Sequence, residues 1–391
     1  MISVSEAQKQ VLKFAEKLPQ LKLKIENTLG YYLSKDCIAP IDMPSFRQSA
    51  MDGYAFIHDN QTELKIIGQV QAGDIKIPEL KKGEAVRIFT GAPIPDSADT
   101  VVIQEHVLRE GNTIKIEKLP LPKANVRPVG EQLTKGKKVL TAGHAINEAS
   151  IGFMAGLGFT EIEVYTRPKV AILTTGNELQ ERGTSLKPNH IYESNGVMLQ
   201  NALHRLGITE ISILKVADTL EDTSKAVGKA LENSDVLLVS GGISVGDFDF
   251  VQEAFEKNTV QEHFYKVNQK PGKPLWFGTK NSKSVFGLPG NPASSLTCFY
   301  GYVLPHLRQR MGSLDPFLNL RTAILTENVR NNFHKTLFLK AGVEGNKITP
   351  YTGQASSMLN TYALSNALLT VPEEVEILKK GDEVTYLDLN F

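Results

Sequence analysis

The stretch Asp235-Val-Leu-Leu-Val-Ser-Gly-Gly-Ile-Ser-Val-Gly-Asp-Phe-Asp249 decides the fold. Val236 to Val239 is an apolar run of strand length without polar alternation, as expected of a strand covered on both faces in a parallel sheet. It breaks into Ser240-Gly241-Gly242 and a loop containing Gly246, and a helical pattern follows over 250–257. Glycines at the carboxyl end of a buried strand let the backbone approach a ligand, and a following helix offers free N–H groups to an anion. Asp247 and Asp249 in the same loop suit a divalent cation held between carboxylates and phosphate oxygens better than they suit bare phosphate. The plainer alternative is a glycine-rich turn with solvated acids. A site is favoured because these residues stand where α/β sheets place their ligands.

Outward from this strand the chain alternates. Val170 to Leu173 predicts another buried strand, ending in Thr174-Thr-Gly-Asn-Glu178. Helices are expected over 194–206 and 221–232, with a strand over 211–216 between them. Further strands are expected near 263–267, 275–278 and 284–287, and a last helix from 292 to 311. Strands alternating with helices imply a doubly wound, mostly parallel sheet. Four loops at or near its strand ends carry glycine, proline, acids or lysine: 174–178, 240–249, 270–274 (Lys-Pro-Gly-Lys-Pro) and 288–292 (Leu-Pro-Gly-Asn-Pro). Lysines in a loop are usually solvated, but prolines here remove loop entropy, so Lys270 and Lys273 read as fixed positive charges suited to an oxyanion.

The flanking regions read differently. Residues 5–18 predict an amphipathic helix, with Ser5 and Gln8 at capping-box spacing and Ala7, Val11, Phe14, Ala15 and Leu18 on one face. Short β-like runs at 64–70, 85–89, 100–107 and 113–117 suggest a small all-β domain. Asp52-Gly53 sits between apolar residues where a plain strand avoids both types, so a turn or bulge presents Asp52. Thr90-Gly-Ala-Pro-Ile-Pro95 places a hydroxyl at a strand end stiffened by prolines, although taken alone it reads as an ordinary loop. Residues 121–165 are turn-rich with a short helix over about 148–157, and this piece is expected to pack with the N-terminal segment around the inserted β domain. After Pro316 short β runs return (320–327, 336–340, 346–349, 366–370, 375–378, 383–387), which fits a β-barrel or sandwich.

The 391 residues carry equal numbers of basic and acidic side chains, 43 of each, so no general attraction to nucleic acid or membrane is expected. Cys37 and Cys298 lie far apart with no metal-ligand spacing, which argues against a disulfide framework or structural zinc. Glu6, Lys9, Lys13, Glu16 and Lys17 interrupt the N-terminal apolar residues and exclude a signal-peptide core, and no run approaches membrane-spanning length. The expected location is the cytoplasm.

With these motifs in place the chain resembles the molybdopterin molybdenumtransferase family, the MoeA and gephyrin E-domain proteins. The resemblance rests on an ordered set: Ser49-Ala-Met-Asp-Gly-Tyr-Ala, Thr90-Gly-Ala-x-x-Pro, Thr175-Gly-Asn-Glu-Leu, Ser240-Gly-Gly-Ile-Ser-Val-Gly, Lys270-Pro-Gly-Lys-Pro, Gly287-Leu-Pro-Gly-Asn-Pro and Gly353-x-x-Ser-Ser-x-Leu. Each motif alone is weak; the series spans essentially the whole chain.

The resemblance implies an α/β-plus-β multidomain protein. An extended linker domain would come from 1–43 and 132–167, an inserted β domain from 44–131, a molybdopterin-binding α/β domain from 168–315 and a C-terminal β-barrel from 316–391. It further implies insertion of molybdate into adenylylated molybdopterin, with release of AMP, dependence on Mg2+, and a homodimer whose active site is shared between subunits. A separate molybdopterin adenylyltransferase would supply the substrate. Gly241, Gly242, Ser244 and Gly246 would cradle nucleotide and phosphates, with Asp235 at the strand start and the Pro289-Gly290-Asn291-Pro292 turn beside them. Glu178, Asp247, Asp249 and Asp52 would serve the metal. Glu178 and Asp249 would also orient the pyrophosphate, and Asp52, supplied in trans with Thr90 beside it, would act on molybdate or the metal. Lys270, Gly272, Lys273, Arg330, Ser356 and Ser357 would hold the oxyanion. Many bacterial relatives carry an acid where this chain has Gln132, so no carboxylate role transfers to that position. Two other readings compete: a gephyrin-type scaffold, and a nucleotide or pyrophosphate hydrolase.

Overall fold

The computed structural model describes residues 1–243 and 250–390. Ser244, Gly246, Asp247 and Asp249 lie outside the described residues.

The α/β domain is built on a six-stranded sheet whose spatial order runs Ile211–Val216, Val170–Thr175, Val236–Ser240, Lys283–Leu288, Trp276–Lys280, Gln261–Tyr265. The first four strands are parallel and the last two join through antiparallel ladders, so the sheet is mostly parallel, as expected. Strand alternation assigns its core. Val170, Ile172, Val236 and Leu238 face one apolar layer with Leu199, Leu203 and the last helices. Ala171, Leu173, Leu237 and Val239 face the other, against Val227, Leu231, Ala254 and Phe255. Both faces are therefore dry, which is why these strands lack polar alternation.

The expected long helix at 292–311 is one helical run with a changed pitch in the middle. It reads as α-helix at Pro292–Cys298, π-helix at Phe299–Val303 and α-helix at Leu304–Arg310. Its buried polar face holds the N-terminal helix. His306 Nδ1 lies 2.7 Å from Val11 O and its Nε2 2.8 Å from Ser284 Oγ. Arg310 donates to Glu16 O, Asp235 O and Ser282 O.

That N-terminal helix spans Val4–Lys13, shorter than expected. The capping box is Ser3 with Glu6, not Ser5 with Gln8: Ser3 Oγ accepts from Glu6 N and Glu6 Oε2 accepts from Ser3 N. The bridge of Ile2 to Val267 keeps the chain extended up to Ser3 and so selects the earlier cap.

The two outer segments do pack together. Gln20–Lys24 pairs with Glu161–Tyr165, and Cys37–Ile38 with Lys138–Leu140. Between them a six-stranded sheet forms in the order Thr100–Ile103, Gly53–Phe56, Glu84–Ile88, Glu63–Val70, Thr113–Ile116, Val107–Glu110. Gly53 opens a strand lodged between two others. A β-carbon there would lie 1.9 Å from Val102 O, so the ladder closes only over glycine. The C-terminal region is a closed five-stranded barrel: Thr336–Glu344, Lys347–Pro350, Leu320–Leu325, Glu383–Asp388 and Ala367–Val371, the last pairing back to the first. A two-residue strand from the α/β domain, Gln269–Lys270, adds in parallel to Thr336–Leu337. Among the described residues no helix is long and apolar enough to cross a membrane.

Burial pushes His306 down from its ordinary 6.5 to about 3, and it stays neutral in the fold. The unfolded chain takes up that proton as pH falls below 6.5 and the native chain does not until about 3, so stability is lost across this window. From pH 7.5 to 5.0 this group alone is expected to remove about 2 kcal/mol of stability. Urea midpoints of the native chain and His306→Gln at the two pH values check this, the variant losing that component of the slope.

Candidate active site

The carboxyl ends of the parallel strands frame a cavity of about 650 Å3. Leaving Val170–Thr175, the chain winds to Ile211–Val216 on one side and then crosses to Val236–Ser240 on the other. The cavity sits where that winding reverses, between the ends of the two inner strands, which is where open α/β sheets form a crevice.

The glycine turn makes one wall. Gly241 (φ +99°) presses so closely on the neighbouring strand that a β-carbon would come within 2.6 Å of Thr175 O. Opposite it, Asn195 clamps two loops by donating to Ser240 Oγ at 2.9 Å and Gly290 O at 2.7 Å. The Thr174–Glu178 loop is tied to Asp218, which accepts from Thr175 Oγ1 and from Asn177 N at 3.0 Å. Glu193 accepts from Gly196 N at 2.7 Å. Glu178, Glu193 and Asp218 thus give the cavity an acidic side with oxygen donors only. Among the described residues no group of three His, Cys, Asp or Glu converges as a metal cage.

The barrel contributes the far wall. Ser357 lines the cavity, and Ser356 beside it accepts from Asn291 Nδ2 at 3.0 Å while its carbonyl accepts from Ala293 N. This serine loop is held from behind by Lys340, which is 1% exposed and donates to Ala355 O and Met358 O. The Lys270–Pro274 loop reaches the cavity through Pro274. Lys270 Nζ stands 3.2 Å from the centroid of the Phe333 ring, and burial together with nearby Lys335 lowers its pKa.

The expected site residues divide into groups. Glu178, Gly241, Gly242, Pro289, Gly290, Asn291, Pro292 and Ser357 line the one cavity, and Ser356 adjoins it. Asp235 does not reach it. It lies at the amino end of its strand, across the sheet from the loops, where its carboxylate accepts from Lys169 N and its carbonyl from Arg310. Gly272 is buried against the protein, where a β-carbon would lie 2.7 Å from Cys298 Sγ, so it packs the loop rather than facing a ligand. Arg330 is exposed in a short ladder with Ile377 and is not among the lining residues. Lys270 and Lys273 stand exposed on their loop, outside the lining set.

Asp52 and Thr90 form a separate constellation in the inserted β domain, also outside the lining set. Thr90 donates to Asp52 Oδ1 twice, from its backbone N–H at 2.7 Å and its hydroxyl at 2.8 Å. These bonds, with a smaller contribution from the Arg87 guanidinium, lower the Asp52 pKa and keep the carboxylate ionised.

Asn195, Glu193, Asp218 and Lys340 were not singled out from the sequence. Asn195 and Glu193 carried the one available signal, polar residues at the start of a helix that follows a ligand-bearing loop.

Comparison with known proteins covers the same regions. Residues 2–158 match a family model described as the MoeA N-terminal region, domains I and II. Residues 171–309 match a probable molybdopterin binding domain, and 322–389 the MoeA C-terminal region, domain IV. A molybdopterin molybdenumtransferase of Staphylococcus epidermidis is 33% identical over 98% of this chain and 94% of its own. One of Haemophilus influenzae is 33% identical over 100% of this chain and 99% of its own. A crystal structure of a molybdopterin biosynthesis MoeA protein from Pyrococcus horikoshii superposes with a TM-score of 0.88 at 27% identity, covering 99% of this chain and 100% of that one. With this agreement along its whole length, the chain belongs to the MoeA family of molybdopterin molybdenumtransferases, transferases of molybdenum-cofactor biosynthesis.

Proposed function

We propose that this chain inserts molybdate into adenylylated molybdopterin, releasing AMP and yielding molybdenum cofactor. The observation that carries the reading is the cavity at the winding reversal, where side-chain-free glycine backbone faces an oxygen-only acidic wall. A wall of that sign repels a bare nucleotide phosphate and suits one that arrives with a hard cation. Magnesium fits this donor set, since it is held by one or two carboxylates together with substrate phosphates, and Glu178 on the exposed rim is the residue to hold it. Bound there, the ion would neutralise phosphate charge.

The chain's own groups then have distinct tasks. Gly241 and Gly242 admit the phosphates to the backbone, and Asn195 keeps their loop registered with Gly290. Lys270, Lys273 and the Ser356-Ser357 loop give molybdate positive charge and hydroxyl donors. Asp52, held as an anion by Thr90, orients the attacking oxyanion or its counter-ion. Its bonded partners all belong to the inserted β domain, so in this proposal it serves the cavity of a second subunit in a homodimer. Catalysis is by position and charge neutralisation, with no covalent intermediate on the protein. The adenylylated substrate comes from a separate molybdopterin adenylyltransferase.

The reading is tested by AMP release from purified protein given adenylylated molybdopterin and magnesium, with and without molybdate. Release is expected to require molybdate and to fall roughly 100-fold in Asp52→Ala. Molybdate-independent release would point to a hydrolase, and absence of both binding and release to a scaffold. Thr90→Val keeps the backbone N–H but removes the hydroxyl bond, so the Asp52 pKa is expected to rise toward the ordinary carboxylate range. Carboxyl-carbon NMR titration of Asp52 reads this directly; an unmoved midpoint would discard the Thr90 hydroxyl as a tuning group and leave the shift to its backbone N–H.

A further inference from the structure

Beneath the Lys270–Pro274 loop lies a polar layer that the proposed reaction does not use. Gln269 is fully buried, as are Tyr302 and Cys298. Its Nε2 donates to Pro271 O and to Gly272 O, each at 3.1 Å, and contacts Cys298 Sγ at 3.6 Å. Its Oε1 accepts from the Tyr302 hydroxyl. The amide orientation is chemically fixed, because two of its neighbours are carbonyls and can only accept. The phenol is locked as a donor, since burial raises the Tyr302 pKa well above its ordinary value.

Three parts of the fold converge on this one side chain. The loop carbonyls lie on one side of it, and Tyr302, within the π-helical turn Phe299–Val303, lies on another. Its own backbone, with Lys270, joins the barrel strand at Thr336–Leu337. Gly272 allows the loop to lie flat on the layer, for a β-carbon there would come 2.8 Å from Gln269 Nε2. With carbonyls 271 and 272 turned inward to Gln269, the lysines on either side of them are left to project outward, and both are exposed.

We infer that Gln269, locked by Tyr302, is a positioning residue that presents Lys270 and Lys273 to the oxyanion and thereby sets molybdate affinity. This rests on the reading, proposed above, that these lysines hold molybdate. Losing the amide takes the donor from Pro271 O and leaves Gly272 O only the weak Cys298 thiol at 3.5 Å, so the loop should turn to find other donors and move the charges with it.

The test compares full-length native protein with Gln269→Leu, Tyr302→Phe and Lys270→Ala. Molybdate binding is followed by calorimetry, and KM and kcat by AMP release. Gln269→Leu is expected to raise the molybdate Kd and KM roughly tenfold, with kcat at saturating molybdate and the KM for adenylylated molybdopterin within about twofold of native. Tyr302→Phe should shift molybdate in the same direction by a smaller factor, and it carries the test if Gln269→Leu fails to fold. If Lys270→Ala weakens molybdate binding while the folded Gln269 and Tyr302 variants do not, the positioning role is wrong. If Lys270→Ala itself leaves molybdate binding unchanged, the parent reading of the lysines fails instead. A lowered melting temperature with unshifted molybdate constants would reduce Gln269 to packing alone and overturn the inference.

Discussion

Everything in the α/β domain depends on the dry parallel ladder between Val170–Thr175 and Val236–Ser240. Each strand buries alternate side chains in opposite layers, so neither can slip by one residue without exchanging its two faces. The register places Thr174 opposite Ser240, and the two chains leave the sheet side by side. The next residues, Thr175-Gly176 and Gly241-Gly242, stay pressed together beyond the ladder and line a common space. The cavity is a geometric result of strand pairing, and the acids and glycines exploit a position the sheet provides.

Charge is distributed unevenly over the fold around this space. Acids sit on loops of the α/β sheet, while the lysine loop is stitched to the barrel and the serine loop belongs to it. The buried Lys340 ammonium is satisfied by two carbonyls of the serine loop. A cation that is 1% exposed is costly to bury, and here it orders the segment that presents hydroxyls to the cavity. Asp52, outside this cavity's lining, is ordered by a different sheet altogether, and its bonds from Thr90 lower its pKa further.

Much of this was legible in the sequence because it is local. The expected strand 211–216 is found at those residues, and the helix expected at 221–232 runs Leu220–Asn233, since each carries its own period. The family motifs around Gly241, Gly290 and Ser357 do meet in space. What escaped depends on distant partners. Asp52 does sit in a bend, as its Asp-Gly context implies, but the strand Gly53–Phe56 that follows exists only through its pairing with Glu84–Ile88 and Thr100–Ile103. Ser3 and Ser5 both head an S-x-x-E/Q pattern, and a bridge to Val267 chooses between them. Asn195 is an unremarkable polar residue until Gly290 O arrives from another loop, and Gln269 until the Tyr302 hydroxyl arrives from the last helical run. Asp235 misleads in the opposite direction, for adjacency to a functional strand says nothing about which end of it faces the ligand.

The two-residue strand Gln269–Lys270 has a consequence for modularity. It occupies hydrogen-bonding groups of the barrel strand Thr336–Glu344 that would otherwise form an open edge. Cutting the chain between the α/β domain and the barrel would therefore injure both halves. The barrel would gain a bare edge able to recruit foreign strands, and the lysine loop would lose its outer anchor. The two regions are distinct in sequence and separately recognisable by family, yet they form one mechanical unit where the lysine loop joins the barrel.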